Sequence, residues 1–246
     1  MYCNVRVMGI FLYMALFLSF QQAHAEEALQ CGIAKNYPPY QFETEGKAKG
    51  FDADVLRLVA KHLKQDITFY QKDWDHVFTQ LRMNKLDCIT GMEINDIRRR
   101  FFLFTQPYYA RQEVILVRAD NTEINVLEDL EGKMISGDKH SQIEEYLEEK
   151  GMFKKARLIR KEDKEKAMQL LKEGKVDAVI TPRAVGMYTV KKYDFKVKTI
   201  FSMGEGTPVG LAFHKKNAAL KERVDAALGE LIEKGEISKL YTAWFN

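Results

Sequence analysis

The sequence predicts an α/β protein with largely parallel sheets, organised as two units of similar wiring. Three observations lead there. From Leu29 onward, short apolar or β-branched runs alternate with segments of helical periodicity, the pattern of strands joined by crossover helices. The stretch Leu81-Arg82-Met83-Asn84-Lys85-Leu86-Asp87-Cys88-Ile89 is echoed by Leu171-Lys172-Glu173-Gly174-Lys175-Val176-Asp177-Ala178-Val179. Each copy reads as a helix end, a tight turn and a buried strand. The chain of 246 residues is long enough for one large domain or two small ones with a sizeable core.

The elements follow in order. Strands are predicted over 29–34, 67–70, 86–90, 114–118, 133–137, 156–159, 176–181 and 196–201. A helix starts at Asp52, a good N-cap, with Val55, Leu56, Val59 and Leu63 on one face. Further helices are predicted over 74–83, 141–150, 163–173 and 182–191. Pro182 is tolerated in a first helical turn because its missing N–H has no intrahelical partner there. Two helices close the chain, and Leu220, Val224, Leu228 and Leu231 mark the core face of the first.

The first 25 residues have a secretory pattern: Arg6, a weakly polar to apolar run over 7–20, then Ala23-His24-Ala25. The run is shorter than the ~20 apolar residues of a membrane-spanning helix. A signal peptide over 1–25 is expected, with a mature amino terminus near Glu26 and export to the periplasm. Basic and acidic residues (38 and 35) are mixed along the chain, with net charge +3. No basic stripe suggests nucleic acid, and no later apolar run suggests a membrane span. After cleavage Cys31 and Cys88 remain, both in predicted strands that can be neighbours. Two buried thiols and a disulfide are both open at this point. Neither cysteine belongs to a cluster with metal-ligand spacing, and no cofactor is expected.

Several segments taken in order carry a family resemblance. They are Tyr37-Pro38-Pro39-Tyr40 with Gly50-Phe51-Asp52-Ala53-Asp54, then Trp74 with Lys85-Leu86-Asp87. Next come Gly91-Met92 through Arg98 to Phe104-Thr105-Gln106-Pro107-Tyr108-Tyr109, and Leu127 to Gly132-Lys133 with Ser141. The closing Gly235 to Trp244 adds to them. Together they resemble the periplasmic amino-acid-binding proteins that feed ABC transporters, solute-binding family 3, over essentially the whole mature chain.

The resemblance implies the type II periplasmic-binding-protein fold, two α/β lobes joined by a two-strand hinge. Residues 26–111 and 206–246 would form lobe 1 and 112–205 lobe 2, with hinges near 110–113 and 203–207. It implies that Arg98 holds a ligand carboxylate through its planar fork. Tyr37 and Trp74 would wall the ligand's stem, and Thr90 and Gly91 would face it from the end of a parallel strand. Ser141 and Gln142, at a helix start, would share the carboxylate. The chain departs from the family pattern at three positions. Pro182 stands where an Asp usually binds the ligand's ammonium, Glu93 replaces a small hydroxyl residue, and His140 replaces a glycine. Glu93 is therefore either a substitute ammonium partner or an internal partner of Arg98. Arg183 is either a second positive group or an exposed helix-start residue.

The functional expectation is a monomeric, non-catalytic exported protein. It captures a small polar molecule, amino-acid-like or carboxylate-bearing, by hinge closure and delivers it to an inner-membrane ABC permease. Two rivals use the same scaffold. One is a sensor or accessory protein without transport. The other is a periplasmic dehydratase-like enzyme with Glu93 as general acid.

Overall fold

In a computed structural model, residues 27–137, 142–152, 157–160 and 164–245 are described. The expected signal segment 1–25, His140 and Ser141 lie outside them. The first strand, β1 (Leu29–Ala34), buries Cys31 and Ile33 completely. A small antiparallel sheet follows, of β2 (Asn36–Tyr37), β3 (Gln41–Thr44) and β4 (Lys47–Lys49). Runs of two to four residues are too short to show strand periodicity, and the sequence does not predict them.

Helix α1 (Phe51–Leu63) packs Val55, Leu56 and Val59 into the core. Its N-cap is Gly50 at φ 112, not Asp52. Asp52 lies inside the first turn and is fully buried. Its carboxylate accepts from the Tyr108 hydroxyl and from Gln41 Nε2, instead of closing the helix. Burial raises its pKa, opposed by Arg111 and by the hydrogen bonds from Tyr108 and Gln41.

The chain continues through β5 (Ile67–Lys72), α2 (Trp74–Arg82), β6 (Cys88–Glu93), α3 (Asp96–Arg99), β7 (Phe102–Phe104) and β8 (Tyr109–Arg111). It then builds β9 (Glu113–Arg118), β10 (Met134–Gly137), α4 (Gln142–Glu149), β11 (Arg157–Arg160) and α5 (Lys164–Lys172). After these come β12 (Ala178–Pro182), α6 (Arg183–Tyr193), β13 (Val197–Ser202), β14 (Thr207–His214), α7 (Ala218–Glu233) and α8 (Glu236–Phe245). Pro182 ends its strand and caps α6 instead of lying in the first helical turn.

The strands form two principal sheets, of six and five strands. In the first, of order β5-β1-β6-β14-β7, the helix-connected strands β5, β1 and β6 are parallel. Strand β14 returns antiparallel to β6, β7 and β8. In the second, of order β11-β10-β12-β9-β13, β11, β10 and β12 are parallel. Strands β9 and β13 run antiparallel. Of the strands in antiparallel pairs, β8, β9, β13 and β14 adjoin the passages between the sheets. The sequence predicts β1, β5 and β6 of the first sheet and all five strands of the second, and misses β7, β8 and β14.

Apolar side chains cover both faces of each sheet, as buried parallel strands require. Helices α1, α7 and α8 pack on one face of the first sheet, with Phe51, Leu56, Leu228 and Ile237 in that core. Val77 and Leu81 of α2 fill the other face with Ile89 and Met92. The second sheet has Ile143 and Leu147 of α4 on one side. Ala167, Met168 and Leu171 of α5 lie on the other. Cys31 and Cys88 face each other in the β1–β6 register with Cα atoms 4.7 Å apart, and they are joined by a disulfide.

The chain passes between the sheets at Gln112 and at 203–206. These passages lie side by side: Met203 N–H donates to the Glu113 carbonyl at 3.0 Å and Gln112 Nε2 to the Gly204 carbonyl at 2.9 Å.

Candidate functional site

The carboxyl ends of parallel strands are where open α/β sheets bind ligands. Here those ends meet at the two crossings. Glu93, last in β6, pairs with Val209, and Arg111 pairs with Thr207. Pro182, last in β12, pairs with Glu113. The first turn of α6 closes over the gap, with Val185 buried in the core of the first sheet. The Tyr188 ring lies 6.3 Å from Phe42.

Arg98 and Glu93 are brought together. The Arg98 guanidinium donates to the Glu93 carbonyl at 3.1 Å and lies 3.5 Å from its carboxylate. It also lies 5.8 Å from the Trp74 ring centroid, within cation–π range. Its short helix is capped by Asn95, whose Oδ1 accepts from Arg98 N–H. Burial lowers the Arg98 pKa, Glu93 opposes that, and Arg111 adds to it. The Arg98 side chain keeps 24% of its exposure, so it can meet a solute.

The sequence does not single out Arg111. Its guanidinium sits in a cage of three tyrosine rings, 5.1 Å from Tyr37, 4.8 Å from Tyr40 and 5.6 Å from Tyr109. It donates to the Tyr109 hydroxyl at 2.6 Å, the Gly91 carbonyl at 3.1 Å and Glu93 Oε1 at 3.3 Å. Tyr37 stacks on Tyr40 at 5.8 Å and Tyr40 on Tyr109 at 5.2 Å. Tyr37 is thus a cage wall, and the group it encloses is the protein's own.

Thr90 and Gly91 differ from expectation. Thr90 is fully buried, and its hydroxyl bonds to the Asp52 carbonyl and the Tyr108 hydroxyl instead of facing the cleft. Gly91 N–H donates to Tyr108 Oη and its carbonyl takes Arg111. Both its polar groups are therefore spent inside the protein. A Cβ on Gly91, at φ +70, would stand 1.9 Å from Gln41 Nε2 and 2.2 Å from Asp52 Oδ2, so the close approach requires glycine. The polar groups of these two residues are thus engaged in the network of Asp52, Tyr108 and Arg111.

On the second sheet, Gln142 opens α4 as expected of a helix start. The next residue, Ile143, donates its N–H to Glu113 Oε2 at 3.1 Å. That donor already serves an internal carboxylate, which differs from a helix start offered to a ligand. Lys164, at the start of α5, is another residue the sequence does not mark. It sits in the charge run 160–166, which reads as a solvated face, yet it keeps only 8% of its exposure. Burial lowers its pKa to about 8, opposed by Glu113 and then Glu93, with Arg111 lowering it further. Lys164 is therefore a buried lysine at the start of α5, within electrostatic reach of Glu113 and Glu93.

This fold and this convergence of strand ends define a two-lobed α/β solute-binding protein. The family model for bacterial extracellular solute-binding proteins, family 3, matches residues 29–246, and the chain belongs to that family. The chain is 29% identical over 224 residues to the probable amino-acid-binding protein YxeM of Bacillus subtilis (strain 168), covering 90% of this chain and 85% of that one. It is 27% identical over 245 residues to the ABC transporter arginine-binding protein 1 of Escherichia coli (strain K12), covering 94% and 96%. Among solved structures it is similar to an ancestral arginine-binding protein bound to arginine. That likeness has TM-score 0.79, 32% identity, and coverage of 91% of this chain and 100% of that one.

Proposed function

We propose that this chain captures a small carboxylate-bearing molecule of amino-acid-like size in the cleft and delivers it to an inner-membrane ABC permease. In this reading 1–25 is a cleaved signal peptide, and the mature protein works as a monomer in the periplasm. Residues 26–111 and 206–246 form one lobe, 112–205 the other, and the crossings are the hinge. Arg98 supplies the contact to the carboxylate, with Trp74 beside it. Ser141 and Gln142 approach from the second lobe on closure. The naming of relatives for amino acids and for arginine supports the size and carboxylate of the ligand.

One observation carries the reading. Arg98 is a partly desolvated guanidinium at the end of the central parallel strand, with an aromatic face beside it and solvent access left. An enzyme on this scaffold would need Glu93 to give a proton to a substrate. Both Glu93 oxygens already face guanidiniums, the wrong arrangement for a proton donor.

A thermal-shift screen of carboxylates identifies a ligand by its mass-action stabilisation of the native state. Arg98→Ala should then lower its affinity roughly 30-fold to several thousand-fold, the scale of about 2–5 kcal/mol for losing one side of a desolvated charged contact. Unchanged calorimetric affinity in a folded Arg98→Ala protein would remove Arg98 from the site.

A further inference from the structure

The run Arg98-Arg99-Arg100 is only partly used by solute capture, which draws on Arg98 alone. Arg98 turns inward to Glu93 and Trp74, while Arg99 and Arg100 are exposed. The turn continues past α3: Arg100 N–H donates to the Ile97 carbonyl at 3.3 Å and Phe101 N–H to the Arg98 carbonyl at 3.0 Å. Ile97 and Phe101 are left in solvent, at 68% and 42% of full exposure. The end of α2 lies against this turn. Arg82 places its guanidinium 4.9 Å from the Phe101 ring centroid, and the residues that follow it expose Met83, at 56%, and Lys85. Of the six large apolar side chains exposed among the described residues, three therefore sit beside β7, the edge strand of the first sheet.

The patch rests on a packed base. Phe102 is buried and meets Phe78 of α2 edge-on, with ring centroids 5.2 Å apart. The Arg99 guanidinium lies 5.8 Å from the Phe104 ring centroid. Packing thus holds Phe102 and Phe104 inside and presents Phe101 outward. A cluster of exposed apolar side chains rimmed by charge marks an interaction surface, and the sign of the charge selects the partner. Arg82, Lys85, Arg99 and Arg100 are basic, and Asp96 is the acid on the same short helix. A two-fold contact with a second copy would set like charge against like. Basic side chains around apolar ones are the composition of segments that lie at an anionic lipid interface, apolar tips among the acyl chains and cations at the headgroups. Ile97 and Met83 project from the surface instead of lining a recess, which suits a fluid lipid surface better than a shaped protein partner.

We propose that this edge is a docking surface for an anionic lipid membrane, with Arg82, Arg99 and Arg100 at the headgroups and Met83, Ile97 and Phe101 beneath them. The surface is separate from the cleft contact at Arg98 and does not depend on which solute is captured.

The test is sedimentation of the exported protein with vesicles of phosphatidylcholine alone, and of phosphatidylcholine and phosphatidylglycerol in equal parts. Partition to the anionic vesicles should be at least about tenfold stronger than to the neutral ones, and raised salt should abolish the difference. Arg99→Gln with Arg100→Gln should lower the anionic partition by about tenfold or more, because each basic residue near such a surface contributes about fivefold. Ile97→Ser with Phe101→Ser should lower it by about fivefold or more through lost apolar insertion. All four positions are exposed, so the fold should survive the changes, and circular dichroism checks that it does. Lys191→Gln with Lys196→Gln removes the same charge from exposed positions of the second lobe and should leave partition within about twofold.

Equal partition to neutral and anionic vesicles overturns the inference, as does an equal loss in the Lys191→Gln, Lys196→Gln protein. Unchanged partition in the Ile97→Ser, Phe101→Ser protein overturns it too, because bulk charge attraction would then account for the binding. Binding to neither vesicle overturns it and leaves an acidic protein surface as the partner of the patch.

Discussion

The two copies of the sequence echo can be laid over each other atom by atom. In the first lobe Asp87 Oδ2 accepts the Gln30 N–H at 2.8 Å, while Asp87 N–H donates to the Gln30 carbonyl at 2.9 Å. In the second lobe Asp177 Oδ2 accepts the Met134 N–H at 2.7 Å, while Asp177 N–H donates to the Met134 carbonyl at 2.7 Å. The turns match as well: Lys85 N–H reaches the Gln80 carbonyl and Lys175 N–H the Leu170 carbonyl, each at 2.9 Å. Asn84 at φ 56 and Gly174 at φ 69 take the same left-handed step. What differs lies further along the strands. The residue after the first Asp is Cys88, bridged to Cys31, where the second copy has Ala178 beside Ile135. The sixth residue after each Asp is Glu93 in one lobe and Arg183 in the other. One scaffold is used twice, and at the strand ends its two copies carry opposite charges.

The bridge is the largest difference between the copies, and removing it is the strongest way to probe them. Cys31→Ser with Cys88→Ser opens a link between residues 57 apart. It should cost about 2–4 kcal/mol in urea unfolding. A loss below about 0.5 kcal/mol would mean that strand pairing alone holds the first copy, as it does the second. Next in size are the aspartates. Asp87→Ala and Asp177→Ala each remove a charged acceptor from a strand N–H and should each cost about 1.5–3 kcal/mol, with losses of similar size. A loss confined to one variant would break the equivalence that the matching hydrogen bonds imply.

The scaffold was legible in the sequence because it rests on local signals: apolar periodicity, the Lys-apolar-Asp turns and the order of strands and helices. Arg98 was legible through the family resemblance, and its neighbour Glu93 by its departure from the family pattern. The pairing of Glu93 with Arg98 was one of two readings left open, and the structure places their charges 3.5 Å apart. Arg111 was not legible. Its cage draws on Tyr37, Tyr40 and Tyr109, from separate segments that only the β8–β14 crossing brings together. Lys164 was hidden for another reason. A lysine in the charged run 160–166 looks solvated, yet the folded chain buries it. Thr90 was misread because its hydroxyl points back into the Asp52–Tyr108 network, a contact across 38 residues that no local pattern reveals.

The smallest expected effect concerns Arg183, the counterpart of Glu93 in the echo. Its sequence position permits a second positive group for an anionic solute. In the structure it serves the crossing instead. Arg183 is exposed, its Nε donates to Gln112 Oε1 at 2.9 Å, and its N–H donates to the Gln112 carbonyl at 2.8 Å. The backbone bond survives truncation, and an exposed side-chain hydrogen bond exchanges readily with water. Arg183→Ala should therefore change stability by no more than about 0.5 kcal/mol, as expected for surface positions. Carboxylate affinity should stay within about threefold, less than 1.4 kcal/mol on the scale where that is tenfold. Glu93→Gln at the equivalent place in the other lobe leaves Arg98 and Arg111 without their shared anion, and the affinity of simple carboxylates should rise. A large affinity loss in Arg183→Ala would instead mean that both lobes bind charge at the sixth residue after the aspartate, with the second lobe supplying the base for the solute.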